Sequence, residues 1–125
     1  MDINVVSGVV VDASMRVHSR LGPGLLESTY EACLAFELRK RGLRVLTQLA
    51  LPVTYDDLEI ELGYRIDMLV EGCVIVELKA LANILPVHRA QVLSYLRLSG
   101  RKVGLLINFN VPHLKDGITR VINDL

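Results

Sequence analysis

The chain has no tryptophan, and its aromatic share is only 5%. That argues against an extended platform on which nucleobases stack. Cysteine is scarce as well. Cys33 and Cys73 stand far apart in apolar surroundings and read as reduced core residues. Two lone thiols lack the second pair that a zinc site needs. No charge sign dominates: 14 basic residues balance 14 acidic ones, for a net charge of zero. A whole-protein electrostatic footprint for nucleic acid is therefore absent, which leaves only local patches. The candidates are "RKRGLR" (Arg39, Lys40, Arg41, Arg44) and "RLSGRK" (Arg97, Arg101, Lys102). Both read first as cations favoured at helix C-termini, and only second as contacts to DNA. No apolar run reaches the roughly 18 residues that mark a membrane span. The opening "MDINVVSGVVVDASMR" starts with an acid, and Ser7, Gly8 and Asp12 cut its apolar run. No signal peptide is expected there, and a cytoplasmic protein is.

What remains is a chain of 125 residues that is 51% hydrophobic. It is able to bury a core without disulfide or metal staples, as one domain spanning 1–125. A first helix is expected over about 4–20, with Val5, Val9, Ala13, Met15 and Val17 near helical spacing. "LGPG" at 21–24 ends it. A second helix runs from about Leu25 to Arg41, with Gly42 as its stop. "RVLTQLALPVTYD" then reads as a strand into Pro52, with a turn at Asp56–Asp57. "LEIELGYRIDMLV" reads as a second strand. "CVIVELKA" is a nearly continuous apolar run, as suits a central strand buried on both faces. A helix over Pro86 to Ser99, a strand in "KVGLLINF" and a short helix in "LKDGITRVINDL" complete the order. The predicted class is α/β: an antiparallel meander plus a crossover strand in one mixed sheet, flanked by helices.

Three charges interrupt this pattern: Asp67, Glu77 and Lys79 lie inside strands that otherwise read as buried. Charge in such a place is costly unless it is partnered. Glu77 and Lys79, two residues apart, project from one face. Asp67 joins them or not according to the turn. A two-residue loop at Glu71–Gly72 pairs Asp67 with Val76 and sends it to the opposite face. A three-residue loop over 70–72 pairs it with Ile75 and brings it to theirs, with Gly72 suited to positive φ. A bulge at Asp67 has the same effect. Two carboxylates and an ammonium on one side suit a Mg²⁺ that keeps several waters. The bland alternative is an ion pair at a sheet end.

On the third helix His88, Gln91 and Tyr95 form one stripe, able to face the same cleft. Glu27 and Tyr30 sit at i, i+3 where the second helix begins. Glu27 there also suits the helix dipole, and Ser28 with Glu31 matches a capping box.

"GLLESTY", with Gly24, Glu27 and Tyr30, resembles the signature of the GxxExxY proteins, small prokaryotic proteins assigned to the PD-(D/E)XK nuclease superfamily. "YRIDMLVEG", "VIVELKAL", "QVLSYLRLSG" and "VGLLINFN" follow in that family's order, so the resemblance covers nearly the whole chain. It implies a restriction-endonuclease-like core. Asp67 resembles the superfamily's metal-binding acid, although Ile66 precedes it in place of proline. Glu77 and Lys79 resemble the (D/E)-x-K pair, Glu27 the acid of the first core helix, and Gln91 with Tyr95 the Q-x-x-x-Y element of the RecB-like and λ-exonuclease-like branch.

The activity implied is phosphodiester hydrolysis in nucleic acid, DNA above RNA, with Mg²⁺ or Mn²⁺. The implied metal ligands are Asp67, Glu77, the Leu78 backbone carbonyl and Glu27, the last directly or through water. Lys79 would position the attacking water, and Tyr30, His88, Gln91 and Tyr95 would contact substrate. The competing expectation is an inactive nuclease fold that serves as a binding or assembly module. Homo-oligomers or a larger complex are expected partners, and a membrane is not.

Overall fold

The computed structural model describes residues 1–124. The first helix, α1 (Ile3–Leu21), starts where the Asp2 carboxylate accepts the amides of Asn4 and Val5. That satisfies two of the donors a helix N-terminus leaves open. Val6, Val10, Ala13 and Val17 are its buried stripe. The second helix, α2 (Glu27–Lys40), buries Tyr30, Leu34, Ala35 and Leu38. Its N-cap is Leu26, without any side-chain cap, so the Ser28/Glu31 capping box does not form. Ser28 already lies inside the helix, and the Glu31 carboxylate is taken by the Gln48 side-chain amide at 2.6 Å.

Five strands form the main sheet in the order β1 (Val45–Ala50), β4 (Arg65–Val70), β5 (Val74–Lys79), β6 (Val103–Asn108) and β7 (Ile118–Ile122). Only β5 and β6 are parallel, joined by the crossover helix α3 (Pro86–Ser99). The packing of α3 is close: a Cβ at Gly104 would come within 2.7 Å of Val92. The expected mixed α/β sheet flanked by helices is what forms, and β5 and β6 lie at its buried centre.

Two expectations are corrected. The tail is not a helix: a 3-10 turn at Leu114–Gly117 leads into β7, which pairs antiparallel with β6. The β-branched Ile118, Thr119, Val121 and Ile122 favour the extended form once an edge is open to them. Gly117 lets the turn press onto the Asn108 carbonyl, where any Cβ would clash. The long strands foreseen around the Asp56–Asp57 turn are each broken in two. Between Leu51 and Tyr64 the chain leaves the sheet as a separate hairpin, β2 (Val53–Tyr55) with β3 (Leu58–Ile60). The Leu51 amide bonds the Tyr64 carbonyl at 2.8 Å and closes its base. Pro52 at the exit and Gly63 at positive φ before the return bend the chain out of the ladder.

The apolar residues fall into two clusters, one on each face of the sheet. Val45, Met68, Val70, Val76 and Leu78 pack with α1 and α2. Ile66, Leu69, Ile75 and Leu106 pack with Val92 and Leu96 of α3. Alternation would put Ile66 beside Met68, yet the two are in different clusters. Strand β1 behaves likewise, with Val45 on one side and Leu49 on the other. Both strands change face at one step, where Gln48 stands next to Asp67 and takes the left-handed φ of 51°.

Candidate active site

Strands β4 and β5 pair from Val70–Val74 to Met68–Val76. The loop between them has three residues, Glu71 to Cys73, with Glu71 and Gly72 at φ 52° and 66°. It lies one residue beyond the three-residue loop foreseen over 70–72, because Glu71 also adopts the left-handed conformation. The next step of this register sets Asp67 opposite Glu77. There the strands part: β5 stays with β6 as far as Lys79–Asn108.

At this fork the carboxylates replace the ladder. The Asp67 amide donates to Glu77 Oε1 at 3.0 Å, and the Leu78 amide donates to Asp67 Oδ2 at 2.9 Å. The Phe109 amide donates to the Lys79 carbonyl, so Lys79 turns its backbone toward β6. In a parallel ladder the neighbouring residue turns the other way, so Leu78 presents its carbonyl to the fork.

Glu77 is only 3% exposed. Burial above all, and then the charge of Asp67, push its carboxyl up to about 8. Glu27, the half-buried first residue of α2, is raised by burial and again by Asp67, while Lys79 pulls it down. Glu27 thus shares the field of Asp67 and Lys79, although it starts from the helix layer on the far side of the sheet. A cleft of about 370 Å³, lined by Leu26, Glu27, Ser28, Glu31, Gln48 and Asp67, opens here.

From the other side α3 delivers Gln91 and Tyr95. Lys79 Nζ donates to Gln91 Oε1 at 3.3 Å, and Gln91 Nε2 donates to the Tyr95 hydroxyl at 3.1 Å. Burial, followed by the nearby Glu77 charge, raises the Tyr95 phenol. Asp67, Glu77, Lys79, Gln91 and Tyr95 therefore come together, with Glu27 facing them.

Two expected substrate contacts lie elsewhere. Tyr30 is fully buried and stacks on Phe109 at 4.5 Å. Its hydroxyl donates to the Gly22 carbonyl at 2.6 Å and accepts the Leu25 amide, tying down the loop before α2. His88 Nδ1 accepts the Leu85 amide at 2.8 Å, which caps α3. The basic patches are also largely engaged. Arg39 donates to the Val45 carbonyl, Arg41 pairs with Asp12 and Glu37, Arg44 with Glu71, and Arg101 holds the Gly72 carbonyl. Lys40, Arg97 and Lys102 remain exposed.

Two contributors were not foreseen. Gln48 bridges Glu31 and, at 3.4 Å, Asp67 Oδ1. Its only mark in the sequence is polarity in a strand, which is not distinctive. Asn108, 2% exposed, accepts the Leu81 amide and donates to the Leu81 carbonyl. It pins the chain that leaves Lys79, and the polar residue ending "VGLLIN" was its available signal.

The donors facing the fork are all oxygens: the Asp67 and Glu77 carboxylates and the Leu78 carbonyl. That set fits a hard divalent cation, whose charge would offset the burial and the Asp67 charge that raise Glu77. Among the described residues no three His, Cys, Asp or Glu side chains close around one point. The fit is thus to an ion that keeps waters of its own, not to a full protein cage.

Comparison with protein families matches residues 4–121 to the PD-(D/E)XK nuclease superfamily, whose nucleases generally use divalent metal ions. Neither curated proteins nor solved structures give a match. No helix among the described residues is long and apolar enough to cross a membrane. With a match over nearly the whole length, and with the two acids and the lysine gathered at one fork of a mixed sheet, the chain belongs to the PD-(D/E)XK nuclease superfamily.

Proposed function

We propose that this protein is a metal-dependent nuclease that hydrolyses phosphodiester bonds, with DNA as its substrate. The observation that carries the reading is the Asp67–Glu77 pair at the strand fork, with Lys79 two residues further along the same strand. Asp67, Glu77 and the Leu78 carbonyl would hold Mg²⁺ or Mn²⁺, with Glu27 adding a carboxylate directly or through water. The ion, when bound, makes a coordinated water more acidic and offsets charge on a phosphoryl oxygen.

The protein's own groups supply the rest. Asp67 and Glu77 are held by opposite strands, so their spacing is fixed by the sheet and does not depend on a mobile loop. Lys79 brings a positive charge to the pentavalent phosphorus and orients the attacking water. Gln91 fixes the ammonium through its carbonyl oxygen and uses its amide to reach Tyr95. The Tyr95 hydroxyl then lies at the cleft edge for a substrate phosphate.

Within the superfamily, Gly24, Glu27 and Tyr30 support placement among the GxxExxY proteins, and Gln91 with Tyr95 supports the RecB-like and λ-exonuclease-like branch. The deciding experiment is cleavage of end-labelled single-stranded, duplex and branched DNA and RNA, with Mg²⁺, Mn²⁺ or EDTA. Asp67→Ala and Lys79→Ala run beside the wild type. Metal-dependent cutting lost in both variants supports the nuclease. Folded wild-type protein that neither cuts nor binds Mn²⁺ sinks it and leaves an assembly module.

A further inference from the structure

A second cavity, of about 270 Å³, adjoins the proposed catalytic groups. Its walls are Val53 from β2, Tyr64 at the close of the hairpin excursion, and Gln91, Ser94, Tyr95 and Leu98 from α3. It shares Gln91 and Tyr95 with the chain of hydrogen bonds that anchors Lys79. An occupant therefore sits directly beside the place where the scissile phosphate would lie.

The lining selects the chemistry of that occupant. None of the six residues is charged, so the cavity lacks the cation that would favour a phosphate over a neutral group. Val53 and Leu98 offer apolar walls, whereas Ser94 and Gln91 offer polar groups. Tyr64 is 45% exposed, and its ring meets Tyr95 edge-on, with centroids 6.4 Å apart and planes at 63°. Tyr95 is buried, so Tyr64 is the ring that remains open to a ligand. Its backbone is fixed by the Leu51 amide at 2.8 Å. The volume falls just below the roughly 300–1,000 Å³ of sites for small molecules, which suits one ring system and not a nucleotide pair. Among the parts of a nucleic-acid strand, the neutral, flat group with apolar faces and a polar edge is the base.

We infer that this cavity takes one unpaired base of the strand being cut, stacked on Tyr64. The inference rests on the nuclease reading and narrows its substrate. A base held in a duplex is covered on both faces, so an unpaired strand, a frayed end or a flap is the form that enters.

The test uses labelled oligonucleotides of one sequence: single-stranded, blunt duplex, and single-stranded with one abasic residue stepped along the strand. Cleavage with Mg²⁺ or Mn²⁺ is followed for wild type, Tyr64→Ala, Tyr64→Phe and Asp67→Asn. Wild type is expected to favour the single strand over the duplex by about tenfold or more, the scale of one base on one aromatic ring. Tyr64→Ala is expected to lose most of that preference, and Tyr64→Phe to keep it. One abasic position should cost wild type a similar factor and cost Tyr64→Ala nothing further.

Cutting that is metal-dependent and lost in Asp67→Asn, yet indifferent to Tyr64 and to every abasic position, overturns the base subsite and leaves the nuclease standing. No metal-dependent cutting of any substrate overturns both. Should Tyr64→Ala fail to fold, the abasic series on wild type decides alone.

Discussion

Asp67 and Glu77 face each other where β4 and β5 separate, and each carboxylate accepts an amide from the other strand, at 2.9 and 3.0 Å. The acids therefore hold the fork's shape as well as its charge, and the two roles separate by mutation. Asp67→Asn keeps an oxygen for the Leu78 amide and, above about pH 8 where Glu77 is ionised, removes one of two crowded charges. Without metal in that range it should be at least as stable as wild type in urea. Asp67→Ala leaves the amide without its partner and should cost about 1–3 kcal/mol. Both should lose Mn²⁺ binding in calorimetry and cleavage with it. An Asp67→Asn protein that still cut at the wild-type rate would remove Asp67 from the mechanism.

Glu77 sets a pH dependence whose sign is definite. In the folded, metal-free protein its carboxyl holds a proton up to about 8, against 4.5 for the ordinary group. Between those values the folded state binds more protons than the unfolded chain. Stability in EDTA should therefore fall as pH rises through that window. Glu27, also raised, acts in the same sense. Glu77→Gln should flatten the decline in thermal midpoints, and added Mg²⁺ should reduce it by binding the ionised pair. A midpoint in EDTA that rises across the same window would contradict the buried, crowded carboxyl.

Asp67, Glu77 and Lys79 were legible because charge inside an apolar strand is conspicuous, and α3 because Pro86 and Gly100 bracket it. Neither register foreseen for the β4–β5 hairpin forms, since the loop falls at 71–73 with Glu71 at positive φ, which a non-glycine residue seldom signals. The tail was misread for a related reason. "ITRVI" carries four β-branched residues that suit a strand, but a strand needs a partner, and the open edge of β6 that supplies it is a tertiary circumstance. Gln48 was invisible because its importance comes from a change of face shared with Asp67, which no local pattern records.

Tyr30 offers a clean separation of structure from substrate contact. Its hydroxyl joins the Gly22 carbonyl to the Leu25 amide, while its ring stacks on Phe109. Tyr30→Phe keeps the stack and strands both backbone groups. It should lower stability by about 1–3 kcal/mol in chemical denaturation. Below its unfolding range, KM should stay at the wild-type value. A raised KM with unchanged stability would instead make Tyr30 a substrate contact.

Lys79 and Gln91 should behave as one unit. The ammonium has four methylenes of freedom, and its bond to Gln91 Oε1 at 3.3 Å restrains it. Gln91→Ala leaves the charge in place but releases its position, and a misplacement of about 1 Å costs on the order of a hundredfold in rate. Lys79→Ala removes the charge itself and should cost at least as much in single-turnover cleavage. Neither change touches an oxygen proposed to hold metal, so Mn²⁺ affinity should not weaken in either variant. Removing the lysine takes away a nearby positive charge and should, if anything, tighten it. Once Lys79 is gone, Gln91 still reaches Tyr95 but has no ammonium to position, so the double variant should lose far less than the product of the two single losses. Rate losses that simply multiply would show that Gln91 acts on substrate independently of Lys79.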